Sequence, residues 1–240
     1  MLSIAGLDPS AGAGVLADIK TMEQCGVYGL AVATAITYQN EDEFGGLKWL
    51  SFEEIEKQLK PLLRKYTIKI VKIGLIENLD VLEKTISLLT THYSLLNIVW
   101  DPILSASAGF TFHDGLNKES LKKVLDLIYL ITPNQPEYDK LQLATLNLEN
   151  TNILLKGGHR KRHDDVLVEP RIKNQEPRVI NGCEKKLKPK HGSGCVLSSA
   201  IASYLALGNN LPQACKMGKK YVEQLLESHQ GLLGYHADLK

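Results

Sequence analysis

The sequence predicts an α/β protein: a central, mainly parallel sheet with helices on both faces. Three observations carry this. Strand-like and helix-like segments alternate along the chain, the pattern of parallel strands joined by helical crossovers. The polar and glycine motifs follow the strand-like runs, where the carboxyl ends of parallel strands present ligand sites. And 240 residues, 44% of them hydrophobic, suffice for one sizeable core.

The elements follow in order. Residues 2–5 form a short apolar strand ending at Gly6, and residues 15–25 have helical spacing and close at Gly26. Residues 30–36 are a continuous apolar strand. Residues 52–64 form an amphipathic helix, with Ser51 as N-cap ahead of Glu53 and Glu54. A strand over 69–73 and a helix over 79–92 come next. The strand at 97–100 ends at Asp101-Pro102, and a helix covers 117–126. A short strand at 129–131 ends at Thr132-Pro133, and another at 153–156 runs into Gly157-Gly158. Residues 166–169 and 178–180 read as a hairpin-type excursion around Lys173-Asn174-Gln175. Helices over 194–207 and 211–229 close the chain. No repeat, low-complexity tract or linker divides it, so a single domain over 1–240 is expected.

Composition narrows the function classes. A formal net charge of +1 gives no global field for nucleic acid. The four cysteines, Cys25, Cys183, Cys195 and Cys215, form no CxxC pair and no metal-ligand spacing. No signal peptide and no apolar run of membrane-spanning length is evident. Free thiols, a cytoplasmic location and no membrane partner are therefore expected.

The most informative stretch is His191-Gly192-Ser193-Gly194-Cys195. It follows Lys185, Lys186, Lys188 and Lys190 and opens a small-residue apolar helix. Two glycines let backbone N–H groups turn toward one point, and the helix start adds partial positive charge, which suits an anion such as phosphate. A cysteine there sits where a thiol proton should be easiest to lose. The remaining motifs are Gly6 to Gly14, Gln39-Asn40, Gly74, Asp101-Pro102, Asn134 to Glu137, and Lys156-Gly157-Gly158-His159. Each alone also reads as a turn or a cap. Their shared place at strand ends argues for one site.

Together these residues resemble the hydroxymethylpyrimidine/phosphomethylpyrimidine kinases of thiamine synthesis, within the ribokinase-like superfamily. The carriers are the run from Ala5 to Gly14, Ala17-Asp18-Ile19-Lys20-Thr21, Thr34 to Asn40, Lys72-Ile73-Gly74, Asp101-Pro102, Thr132 to Glu137, Lys156 to His159, and His191 to Cys195. Most sugar kinases of that superfamily carry Asp where this chain has Cys195. The resemblance implies a three-layer α/β/α kinase that uses ATP and Mg2+. Its substrate would be 4-amino-5-hydroxymethyl-2-methylpyrimidine and then its monophosphate, giving the diphosphate. By position, Gln39 would bond the pyrimidine edge, and Gly6, Ala13 and Asp18 would line the substrate pocket. Backbone N–H groups of Gly192, Ser193, Gly194 and Cys195 would form the anion hole. Cys195 would be the base, its proton loosened by the helix start and Lys190. Asn134 and Glu137 would organise metal-bound water, with Asp101 and Lys156 near the phosphates and metal. The metal would be held through ATP phosphates and water, without a dedicated protein cage. Relatives are often dimers, so a homodimer is an expectation too.

The chain departs from the family pattern in places. The segment between Glu137 and Ile153 is short. Leu75 stands where methionine is common, Tyr38 replaces a small residue, and Ser105 to Ser107 replaces a stretch that often holds Lys or Thr. Lys190 stands where Thr is more usual. The lysine run and the 166–180 hairpin are expected to serve the nucleotide side. Two other functions stay open: a pyridoxal-type kinase, with Tyr38 stacking on the ring, and a non-catalytic ligand-binding protein on a kinase fold.

Overall fold

The computed structural model describes residues 1–104, 117–158, 163–172, 175–185 and 187–237. Among them a nine-stranded sheet runs in the order β3-β2-β1-β4-β5-β6-β7-β8-β9. Its strands are β1 (Leu2–Leu7), β2 (Leu30–Gln39), β3 (Phe44–Trp49), β4 (Ile70–Ile73), β5 (Asn97–Trp100), β6 (Leu130–Ile131), β7 (Asn152–Leu155), β8 (Asp165–Val168) and β9 (Arg178–Ile180). Pairing is parallel from β2 through β1 and β4 to β7, and antiparallel at β2–β3, β7–β8 and β8–β9. The helices are α1 (Gly14–Gln24), α2 (Phe52–Lys65), α3 (Leu79–His92), α4 (Lys118–Leu125), α5 (Gln135–Lys140), α6 (Ser193–Ala206) and α7 (Leu211–Glu227).

The expected α/β/α architecture is present, and three boundaries differ usefully. β2 runs three residues further than expected, which puts Gln39 at its carboxyl end. β3 was not expected. Its two glycines and lysine hide any alternation, yet Asn40 builds the turn that leads into it. The Asn40 side-chain oxygen accepts from the backbone N–H groups of Asp42 and Glu43, both at 2.9 Å. The short segment after Glu137 is filled by α5 and one 3-10 turn at Leu143–Thr145. Lys173, Asn174 and Ser105 to Ser107 lie outside the described residues.

Two apolar layers hold the sheet. On one face Leu2, Ile4, Val71, Ile73, Ile98, Trp100 and Ile131 pack with residues of α2, α3 and α4, such as Ile55, Leu59, Ile86 and Val124. On the other face Ile70, Val99, Leu130 and Leu154 pack with residues of α1, α6 and α7. α6 is buried along most of its length, and each of Val196, Leu197 and Ile201 contributes ~1.5–3 kcal/mol by leaving water. α7 approaches it closely because Gly218 carries no side chain: a Cβ there would lie 2.6 Å from Ile201 Cγ1.

The switch in strand order lies at β1. One crossover, through α1, leads to β2 on one side; the later strands β4 to β7 build out on the other. The carboxyl ends of β1 and β4 therefore flank the crevice where such sheets bind ligands.

Candidate active site

Strand alternation lays down the floor of the site. Residues two apart share a sheet face. On the α6 face, each apolar residue of a central strand is followed two positions later by a polar one: Ile70 by Lys72, Val99 by Asp101, Leu130 by Thr132, Leu154 by Lys156. This polar row lies at the carboxyl edge, under the start of α6. Lys156 Nζ bonds Asp101 Oδ1 at 2.8 Å and stands 3.7 Å from Glu137 Oε2. Thr132 Oγ1 donates to Asp101 Oδ1 at 3.2 Å, and Ser198 Oγ of α6 lies 3.4 Å from Asp101 Oδ2.

Helix capping singles out the same place. α2, α3, α4, α5 and α7 each begin with a side-chain cap, from Ser51, Asn78, Asn117, Asn134 and Asn210. Among the described α-helices, only α1 and α6 start without one, at Ala13 and Gly192. The Gly14 N–H of α1 is directed to the Cys195 thiol, and the two helix starts face each other. A Cβ on Gly192 would sit 2.0 Å from Gly12 O and 2.7 Å from Ala13 Cα, and its φ is +71°. Gly14 is equally constrained, with φ +60° and a Cβ position 2.1 Å from Gly6 O. Glycine is required at both. A Cβ on Gly194 would lie 3.4 Å from Lys156 Nζ, so the α6 start stands directly over the Lys156–Asp101 pair. His191 Nε2 bonds Asp8 Oδ2 at 2.8 Å, and Asp8 also accepts from Ser10 and Ala13, tying the two loops together.

Electrostatics in this enclosure follow from burial and neighbours. Burial pushes the Asp101 pKa up, but the Lys156 and Lys72 ammonium groups prevail and hold it below the usual carboxylate value. Burial and nearby Asp101 raise the Glu137 pKa despite Lys156. Lys156 is held protonated by Asp101 and Glu137 against its own burial. Burial raises the Cys195 thiol to about 11, with Asp101 and Asp18 adding to the rise and Lys72 and the Gly14 N–H opposing it.

Several expected residues do converge here. Gly192, Ser193, Gly194 and Cys195 open α6 beside Asp101, Lys156 and Glu137, with Ala13 in the facing loop and Gly6 near the end of β1. Gln39 ends β2 on the same sheet edge, half-buried, with a side-chain amide that has no hydrogen-bond partner among the described residues. Asn134 and Glu137 also form a reciprocal capping box at the start of α5, so their plain structural role is realised alongside any other. His159 lies outside the described residues.

Three expectations are corrected. Asp18 does not line a pocket. It is fully buried between sheet and α6, bonded to Lys72 Nζ at 2.8 and 2.9 Å, Ser3 Oγ at 2.5 Å and Ser199 Oγ at 2.6 Å. Cys195 is not an easily ionised thiol, because burial outweighs the helix start. Lys190 does not assist it, because its ammonium is engaged elsewhere, and Lys185 and Lys188 have partners at and beyond the end of α7. Lys190 Nζ bonds the carbonyls of His229, Gly231 and Leu233; Lys185 pairs with Glu227 and Lys188 with Gln230. Lys186 lies outside the described residues. Sequence reasoning named Lys72 only within the Lys72-Ile73-Gly74 motif and gave it no role: a lysine inside a four-residue buried strand carries no local signal of its partner 54 positions away.

Two facing helix starts without side-chain caps, beside a lysine pinned by carboxylates, suit a phosphoryl group in transit. The fold that carries them is that of the ribokinase-like kinases. The chain belongs to the phosphomethylpyrimidine kinase family, which it matches over residues 8–239. It is 30% identical to the hydroxymethylpyrimidine/phosphomethylpyrimidine kinase of Staphylococcus aureus strain Mu50, over 94% of this chain and 87% of that protein. The crystal structure of phosphomethylpyrimidine kinase from Clostridium difficile 630 is 31% identical, with a TM-score of 0.74, covering 93% of this chain and 97% of that one. The pyridoxal kinase of Staphylococcus aureus solved with pyridoxal shares the fold, with a TM-score of 0.80 at 24% identity over 97% of this chain and 90% of that one.

Proposed function

We propose that this kinase transfers the terminal phosphoryl group of ATP to the hydroxymethyl group of 4-amino-5-hydroxymethyl-2-methylpyrimidine, and then to the resulting monophosphate, in thiamine biosynthesis. The observation that carries the reading is the uncapped start of α6 standing over Lys156 and Asp101. Its N–H groups from Gly192 to Cys195 are fixed dipoles that need no reorganisation as charge develops on the moving group. Lys156 adds a full charge and is itself positioned by Asp101 and Glu137. The free amide of Gln39 both donates and accepts, which matches an aminopyrimidine edge. Ala13 and Gly6, with Leu75 packed against the latter, would line the ring. Cys195 takes the hydroxyl proton through its thiolate form.

The donor set fits a magnesium ion carried by the nucleotide. Asp101 and Glu137 share a single ammonium, Lys156, so carboxylate is in excess there. Among the described residues no three His, Cys, Asp or Glu side chains converge to hold a metal themselves. Phosphate oxygens and water would hold the ion, with Asp101, Glu137 and Asn134 facing it. It would supply charge neutralisation on the transferring group. Among the described residues no helix is long and apolar enough to cross a membrane. A cytoplasmic location, supported by the free cysteines, and a homodimer through the exposed Ile36 and Tyr38 of β2 complete the proposal.

A steady-state assay with ATP, Mg2+ and each alcohol tests it. The pyrimidine alcohol should give the higher kcat/KM, with pyridoxal well below it. Preference for pyridoxal, or turnover of neither, would overturn the substrate assignment.

A further inference from the structure

The lysine run ahead of the anion loop is tied to the far end of the chain. Lys190 is 5% exposed, and its described partners are three carbonyls: His229 at 2.7 Å, Gly231 at 2.6 Å and Leu233 at 3.2 Å. An ammonium has three donors, and here each meets one carbonyl. The segment thus gathered, residues 229–237, forms a strap across the outside of the two glycine loops. The His191 N–H donates to the Leu232 carbonyl at 2.9 Å. Leu233 presses on Gly12, where a Cβ would lie 2.7 Å from Leu233 Cδ2 and equally close to His191 Cδ2. Further along, the Tyr235 N–H donates to Ser228 Oγ, and His236 Nδ1 meets the Tyr221 hydroxyl at 2.9 Å, anchoring the strap on α7.

The strap therefore braces the contact on which the anion loop depends. Gly192 rests against Gly12 and Ala13, and His191 is held by Asp8 on one side and by Leu232 on the other. Lys190 lies two residues before Gly192 and gathers the strap from within. We propose that Lys190 is a positioning residue: by enclosing its ammonium in the strap carbonyls it locks residues 229–237 against Gly12 and His191, and so holds the N–H groups of Gly192 to Cys195 where the transferring phosphoryl group needs them. It touches no substrate; it acts through the strap. This rests on the phosphotransfer reading of the α6 start.

Removing the ammonium should loosen the brace and misplace donors whose worth lies in the transition state. A displacement of such groups by a fraction of an ångström lowers kcat more than it weakens ground-state binding. In the full chain, Lys190→Met should lower kcat about tenfold while KM for both substrates stays within about twofold. Lys190→Arg, which restores donors and charge, should recover most of the loss. Lys190→Ala should regain turnover with added ethylammonium but not with tetramethylammonium, which has no N–H. Hydrogen exchange read at the amides of His191 and Tyr235 reports the strap independently of any substrate. Both should exchange faster in Lys190→Met, with residues of β4 and β5 unchanged. Faster exchange with unaltered kcat would overturn the positioning role. Unchanged exchange in Lys190→Met would overturn the strap itself. If the wild-type chain turns over neither alcohol, the substrate reading fails, and the exchange arm still decides whether Lys190 holds the strap.

Discussion

Cys195 offers the sharpest test of the site's chemistry. The thiol is buried, flanked by Asp101 and Asp18, and raised to about 11. At pH 7 it stands about four pH units below ionisation. At ~1.4 kcal/mol per unit, forming the thiolate costs on the order of 5 kcal/mol and populates roughly one molecule in 10⁴. The alkylation order follows. Cys183, half-buried, should react with iodoacetamide first, and Cys195 should be far slower at neutral pH, accelerating tenfold per pH unit toward 11. If the rare thiolate is the base, kcat should rise with pH over the same range, and Cys195→Ala should lose about 10²–10⁴-fold, as when a general base is removed. Cys195→Asp is the decisive variant. The same burial and carboxylate neighbours would raise an aspartate's pKa toward neutrality, making it a better-matched base. It should retain more activity than Cys195→Ala, with its pH limb displaced to lower pH. Two results would refute the reasoning. Faster alkylation of Cys195 than of Cys183 at pH 7 would show that the enclosure does not suppress the thiolate. A Cys195→Ala enzyme with near-normal kcat and an unaltered pH profile would show that the hydroxyl proton leaves by another route.

Other consequences can be measured directly. Gln39→Ala removes the unpaired amide at the end of β2 and should cost roughly 1–3 kcal/mol in kcat/KM, chiefly through KM for the pyrimidine alcohol. Asp18→Asn leaves the fully buried Lys72 ammonium without its counter-charge and should destabilise the fold by about 3–5 kcal/mol in urea unfolding, whereas replacing both residues by apolar ones should cost less than the single change. The His236 pKa is lowered by burial, and by nearby Lys20, from 6.5 to about 4. The unfolded chain thus binds the extra proton between those values, so this stability is complete above pH 6.5 and is lost as pH falls through about 4. His236→Gln should reduce the fall in Tm across that window by ~2–4 °C.

The legible and the hidden parts of this chain divide along a physical line. Elements defined by contiguous apolar runs and caps were readable: Ser51 and Asn134 do cap α2 and α5, and Gly192 does open α6. β3 was not, because Gly45, Gly46 and Lys48 on an edge strand need satisfy only one neighbour and show no alternation. The convergence of Gly6, Gly192, Asp101 and Lys156 was legible because each lies at or next to a strand end or a helix start. The Lys72–Asp18 pair was invisible because it joins β4 to α1 across 54 residues. Lys190 was misread for the same reason. Beside a glycine loop, a lysine suggests an anion; only the fold brings residues 229–233 to it.

That misreading bears on why position 195 holds a thiol. Asp18, Asp101 and Glu137 share the enclosure with Lys72 and Lys156. Three carboxylates against two ammonium groups already leave an excess of negative charge, which is relieved in part by the raised Glu137 pKa. A third lysine, facing Cys195 from the loop, would have balanced an ionised side chain there, but the Lys190 ammonium is enclosed by the strap carbonyls. A permanent anion at 195 would therefore stand unbalanced beneath a loop built to receive phosphate. A neutral thiol adds no charge at rest, and the small fraction that has lost its proton to solvent can still accept the proton of a hydroxyl held against it. The cost of that ionisation and the enclosure of Lys190 in the strap are linked, since the residue that would have lowered the barrier instead holds the loop in place.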